Sequence, residues 1–164
     1  MNITEAIAFL NKKIPNRKKS LPEEVFFFIS GLTPLVNVDL LIKDEDGQTL
    51  LSWRDDQLSG QGWHLPGGIV RYKETLETRL KKVAQAEVGV EVSFDPIPIA
   101  VNQFINHKRD VRSHFVSILF KCFLTRTFIP INRGLKETDP GYLKWHGSCP
   151  RNLLGCHHVY KDLI

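Results

Sequence analysis

Two glutamates thirteen residues apart, Glu74 and Glu87, stand in a segment otherwise rich in aliphatic and basic side chains, GGIVRYKETLETRLKKVAQAEVGV from Gly67 to Val90. Its apolar spacing predicts a helix from Glu74 to Val88, closed by Gly89 as a C-cap. At about 100° per residue, Leu76, Leu80, Val83, Ala84 and Val88 form one stripe, and Glu87 falls inside it, about 20° from Leu80. A carboxylate on the core side of a helix costs several kcal/mol if it is ionised and unpaired, so Glu87 demands a partner. It needs a cation or a proton, and the cation would be either a lysine or arginine from elsewhere in the fold or a metal ion. Glu74, at the start of the helix, suits a structural role through the helix dipole.

The surrounding elements must hold this segment. Leu35 to Ile42, LVNVDLLI, alternates as a strand, with Val36, Val38, Leu40 and Ile42 on one face and Asn37 and Asp39 on the other. DEDGQ at 44–48 is hairpin chemistry, and TLLSW resumes as the returning strand. A loop at 55–62 leads to GWHLPGG. Strands are expected over Glu91–Phe94, Ala100–Asn106 and Phe115–Leu124, with loops around Lys108–Arg112 and Ile129–Gly141 and a short helix near Arg151–Leu163. Residues 3–14 place Ile3, Ile7, Leu10 and Ile14 at helical spacing, predicting a short amphipathic helix that docks on the main body. Strands on both sides of a central helix give an α/β protein with a mixed β-sheet. The glycines from Gly60 to Gly68 match neither the dinucleotide fingerprint nor the P-loop.

With 164 residues the chain has the size of one domain, and its 42% hydrophobic and 24% charged residues exclude disorder. The net charge of +4 favours acidic partners only weakly. The cluster Lys12, Lys13, Arg17, Lys18 and Lys19 reads as a solvated linker rather than an RNA-binding arm, since few aromatics accompany it. Nucleic acid is therefore not the expected partner. The three cysteines, Cys122, Cys149 and Cys156, show no CxxC spacing, which argues against a disulfide framework and for a reducing, cytoplasmic setting. Cys149, Cys156, His157 and His158 match no familiar zinc spacing. No stretch reaches the roughly 20 apolar residues of a membrane span, so no membrane partner is expected.

Gly68, Glu74, Glu87, Gly89 and Val90, preceded by Leu65-Pro66-Gly67, resemble the Nudix box. Three positions depart from it: Lys82 replaces an arginine, and Val83 and Ala86 replace two metal-binding glutamates. The same losses occur in the GDP-mannose mannosyl hydrolase branch. The likeness extends through Thr33-Pro34-Leu35-Val36, Val38-Asp39, Leu50-Leu51, Arg54 and Gly62-Trp63, over roughly residues 33–145. It implies a Nudix-type α/β/α sandwich at 21–164, preceded by an N-terminal helix and basic linker at 1–20.

The resemblance further implies Mg²⁺, or Mn²⁺, held by the Gly67 carbonyl, Glu87 and a third ligand from a later loop. It places Arg54 and Asp39 at the diphosphate and leaving group, with His107 at another family position. Arg54 could equally pair with Asp55 or Asp56 on the surface, Asp39 could be a solvated residue on an outer strand face, and His107 could be an ordinary loop histidine. Branch members carry a glutamine ligand and a histidine base in the loop before a tryptophan. Counting back from Trp145, these become Asp139 and Pro140, so Asp139 or Glu137 is the expected ligand or base. The implied activity is hydrolysis of a nucleotide sugar, of the GDP-mannose type, to GDP and free sugar by a homodimer. A pyrophosphohydrolase attacking phosphorus and a non-catalytic nucleotide-binding module are the alternatives.

Overall fold

The computed structural model describes residues 1–19 and 21–164. Its centre is a mixed sheet of eight strands: β1 (Leu35–Lys43), β2 (Thr49–Asp56), β3 (Gly60–His64), β4 (Gly67–Ile69), β5 (Ser93–Phe94), β6 (Ala100–Ile105), β7 (His114–Phe123) and β8 (Leu143–His146). β1 and β7 run parallel, in register from Leu35 opposite Phe115 to Lys43 opposite Phe123, and the other pairings are antiparallel. The α/β reading with a mixed sheet is thus what the chain adopts.

The alternation of β1 divides the molecule into two cores. Val38, Leu40 and Ile42 pack with Leu50 and with Leu80, Val83, Ala84 and Val88 of the central helix. On the opposite face, Leu41 packs with Leu51, Trp53, Trp63, Leu65 and Leu119, and the C-terminal Leu153 and Tyr160 cover it. Each fully buried leucine contributes about 1.5–3 kcal/mol, so both layers are well anchored to the sheet. The hairpin forms as its sequence demands. The Asp44 carboxylate accepts from the Asp46 and Gln48 amides, and Gly47 takes φ 80°.

Three helices accompany the sheet: α1 (Ile3–Lys13), α2 (Glu23–Ser30) and α3 (Leu76–Val83). α3 starts two residues later than its periodicity predicts because Thr75 is the N-cap, accepting from the Thr78 amide. Past Val83 the chain widens into a π-helical turn, Ala84–Val88, which the Gly89 amide closes by donating to the Ala84 carbonyl. Gly89 sits at φ 85°, as expected of a left-handed cap.

α2, with sequence EEVFFFIS, is not apparent from periodicity, since three consecutive phenylalanines show no helical spacing. The C-terminal helix is a 3₁₀ segment, Gly155–Tyr160. The expected docking of the first helix is not found, as no residue of α1 is buried. The linker boundary at Ser20 lies outside the described residues.

Candidate active site

β1 and β7 build the floor of the site. Their parallel register sets Asn37 beside Ser117, and Asp39 lies one pleat further on the same face. Asp39 is 3% exposed, which removes the reading of a solvated residue on an outer strand face. Its Oδ1 accepts from Asn37 Nδ2 at 2.7 Å, and its Oδ2 accepts from Tyr160 Oη at 2.8 Å and from Ser117 Oγ. Buried carboxylates persist when donors surround them, and three side chains do so here. Burial and the nearby Asp39 carboxylate in turn raise the Tyr160 phenol above its usual range.

β4 runs antiparallel to β1 and places Gly67 across from Asp39. A β-carbon on Gly67 would lie 2.5 Å from Asp39 Oδ1 and 2.9 Å from the Val38 carbonyl. Gly68 is equally constrained, because its β-carbon would meet Val83 Cγ2 at 2.8 Å. The two glycines therefore let the strand approach the carboxylate on one side and the helix on the other. Above them lies a cavity of about 220 Å³, lined by Asn37, Asp39, Arg54, Ser117, Tyr160 and Gly67 among others.

A second cavity adjoins it, lined by Arg54, His64, Asp55, Asp56, Ala86, Glu87 and Pro140. Arg54 and His64 border both spaces. Arg54 projects from β2 and keeps a loose contact with Asp56, Nε to Oδ2 at 3.7 Å, so its guanidinium is not consumed by that surface pair.

Glu87 reaches this second cavity because the π-helical turn inserts an extra residue, so a wheel drawn with the α-helical period does not hold beyond Ala84. Leu80, Val83, Ala84 and Val88 form the core, and Glu87 is excluded from it, partly buried at the cavity wall. Burial pushes its carboxyl up to about 7, with the Asp39 charge adding and with Arg54 and the Gly67 amide pulling the other way.

His64 is 4% exposed, and its Nδ1 lies 2.7 Å from the Leu65 carbonyl. A carbonyl only accepts, so Nδ1 carries the hydrogen and Nε2 retains its lone pair. Burial, reinforced by Arg54 and His157, holds the ring well below the usual histidine range and hence neutral. His157 accepts the Leu65 amide on Nδ1 at 3.1 Å, and burial keeps it neutral too.

Asp39, Arg54, Gly67 and Glu87 thus meet around two adjoining cavities. His107 stands on an exposed turn and lines neither. Glu137 is exposed and pairs with Lys144 at 2.8 Å. Asp139 accepts from the Lys136 amide at 2.8 Å, and the residues after it, Pro140 and Gly141, form the cavity wall. Glu74 takes a different part. It accepts from the Arg71 amide, from Arg79 and from Lys82, which fixes the approach to α3 by ion pairs rather than through the dipole. Of the zinc-like residues, Cys149 is exposed and His158 is engaged with the Leu153 carbonyl.

Sequence reading missed Asn37, Ser117, Tyr160 and His64 as site residues. His64 lay within the quoted GWHLPGG. Tyr160 is 121 residues from the carboxylate it binds, and nothing local announces it.

Comparison with known proteins follows the same geometry. A family model, the NUDIX domain, matches residues 33–145. The Low-salt glycan biosynthesis protein Agl8 of Haloferax volcanii is 39% identical over 75 residues, covering 46% of this chain and 47% of that protein, so the match spans about half of the relative's length. A crystal structure of possible asymmetric diadenosine tetraphosphate hydrolases from Jonesia denitrificans superposes with TM-score 0.61 at 21% identity, covering 80% of this chain and 92% of that one. The MutT NUDIX hydrolase of Burkholderia pseudomallei gives TM-score 0.60 at 19% identity, covering 80% and 98%. At these identities the two structures share the fold.

Proposed function

The chain belongs to the Nudix family, and we propose that this Nudix hydrolase acts on a nucleotide sugar of the GDP-mannose class, cutting the bond between the sugar carbon and the diphosphate. The observation that carries this reading is the composition of the Glu87 cavity. Where a standard box supplies further metal carboxylates, Ala86 lines the same wall as a bare methyl group, and Val83 is packed in the core beneath Gly68. The box therefore offers that cavity a single carboxylate. The relative Agl8 is named for glycan biosynthesis, which agrees with a sugar-bearing substrate.

A divalent cation fits this donor set. Glu87 is a carboxyl that burial has left short of compensating charge, and among the described residues no three His, Cys, Asp or Glu side chains converge on one point. Mg²⁺ tolerates such a site because it retains waters and takes substrate phosphate oxygens. Glu87 and the Gly67 carbonyl would hold it, and when bound it would offset charge on the departing diphosphate. Arg54, bordering both cavities, would orient and neutralise the same group.

For the base we assign His64. Its Nε2 keeps a lone pair, and the residue borders the cavity that Glu87 and Pro140 share, Pro140 standing where the branch carries its histidine. Water attacks the anomeric carbon, its proton passes to Nε2, and the carbon–oxygen bond pair leaves with GDP. Asp39, held by three side-chain donors, orients rather than abstracts. Incubation with GDP-mannose and Mg²⁺, followed by anion-exchange separation, tests the reading. GDP and mannose are the expected products. GMP with mannose 1-phosphate would mean attack at phosphorus, and binding without turnover across nucleotide sugars would leave a binding module.

A further inference from the structure

The N-terminal nineteen residues leave an apolar face uncovered. Ile3, Ile7, Leu10 and Ile14 fall within about 60° on the helical wheel of α1 and its C-cap. A helix in a globular protein normally turns such a stripe to the core, yet Ile3 is 79% and Ile7 53% exposed, and Leu10 and Ile14 are only partly buried. Met1 and Phe9 are also open to solvent.

Cations gather at and beyond the C-terminal end of that helix. Lys12 and Lys13 lie in the last turn of α1, and Arg17 follows, donating to Asn11. Lys18 and Lys19 then join Arg71, Arg79 and Lys82 of the main body around one open depression of about 530 Å³. Glu74 neutralises part of that charge through Arg79 and Lys82. The rest stays unmatched, and Arg71, desolvated beside Arg79, is held below its ordinary range. An apolar stripe ending in a basic stretch, with further cations presented by the folded domain beside it, is the pattern of a surface that meets lipid and phosphate together.

We infer that α1 and the adjoining basic depression form a docking surface for an anionic membrane face. The helix lies in the interface with Ile3, Ile7 and Leu10 toward the acyl chains, and the lysines and arginines engage phosphodiester headgroups. A second copy of this chain would meet the apolar stripe but offer no counter-charge to Lys18, Lys19 and Arg71, whereas an anionic membrane face answers both the stripe and the cations. The aliphatic stripe decides against a nucleic acid, which would take the cations and leave the stripe in water. No helix of the described residues is long and apolar enough to cross a membrane, and surface docking requires none.

The test is co-sedimentation of the full chain with vesicles of phosphatidylcholine alone and of phosphatidylcholine mixed with phosphatidylglycerol. Binding is expected to the mixed vesicles only. It should be released in about 1 M salt, where the Debye length is roughly 3 Å. Combining Lys18→Glu with Lys19→Glu should weaken binding by at least about 25-fold, at roughly fivefold per cation. Ile7→Glu should abolish it. Both changes are at exposed positions, and unchanged thermal unfolding would show that the variants fold.

Failure to sediment with anionic vesicles overturns the inference. A dimer seen by light scattering that Ile7→Glu dissociates, without vesicle binding, would give the face to a second copy. Tripolyphosphate binding that Lys18→Glu removes, with vesicles ignored, would give the depression to a soluble polyanion.

Discussion

Glu74 and Glu87 come from the same short segment, flank the same helix, and end in opposite electrostatic states. Burial alone would raise Glu74, but Lys82, the Arg71 amide and Arg79 outweigh it and hold the carboxyl at about 2. Burial dominates at Glu87, where Arg54 acts only through its field, and the carboxyl rises to about 7. The Glu74 carboxylate is held by three donors at the approach to α3, and the Glu87 carboxyl is one that burial disfavours as an anion. Identity and spacing mark both as special, but the number of donors around each decides its electrostatic state.

The sharpest way to break this contrast is to neutralise each glutamate in turn. Glu87→Gln should lower kcat by about a thousandfold, since it removes the box's one carboxylate from the cavity and with it several kcal/mol of metal-borne stabilisation. Its melting temperature should not fall, because the amide stands in for a carboxyl that burial already disfavours as an anion. A large loss of Tm would put Glu87 in the structural class and erase the difference. His64→Gln should cost roughly a hundredfold in kcat with KM little changed, the lower range for losing a general base. An unaltered kcat would move the base to Asp139, which directly precedes Pro140 of the cavity wall.

Glu74→Gln should do the reverse. We expect about 2 kcal/mol of lost stability in denaturant unfolding, less than the full shift implies because the Lys82 arm is solvent-exposed, and kcat within a few-fold of the native value.

The two carboxyls also oppose each other in pH. Glu74 is depressed, so its contribution is present above its ordinary 4.5 and is lost as pH falls toward about 2. Glu87 is raised, so its contribution is full below 4.5 and is lost as pH rises through about 7 in the metal-free protein. His64 and His157, both lowered from 6.5, add stability above that value which fades on acidification, so they overlap the Glu87 window with opposite sign. The Glu87 effect is therefore read as a difference. The Tm gap between Glu87→Gln and native protein should widen from pH 4.5 to 7, and a gap that narrows would contradict the raised carboxyl.

The contrast also shows what a sequence can announce. The alternation of LVNVDLLI placed Asp39 on the face away from α3, and the hairpin at Asp44–Gln48 and the cap at Gly89 follow from local chemistry that no distant residue alters. The surroundings of Asp39 were not legible, because Ser117 and Tyr160 reach it across 78 and 121 residues. That Glu87 is a carboxyl under desolvation was legible, but its direction was not, because the π-helical turn changes the period inside the motif. α2 escaped for a different reason, since it has no side-chain N-cap and an uninterrupted apolar run. Tertiary contact, rather than local propensity, completes the site.

The claim at the centre of this account is that a cavity with one box carboxylate directs water to the sugar carbon rather than to phosphorus. Hydrolysis of GDP-mannose in heavy-oxygen water, with mass analysis of the products, tests it directly. The account predicts the heavy oxygen in mannose and none in GDP. Label in a phosphate of GMP or mannose 1-phosphate would contradict it.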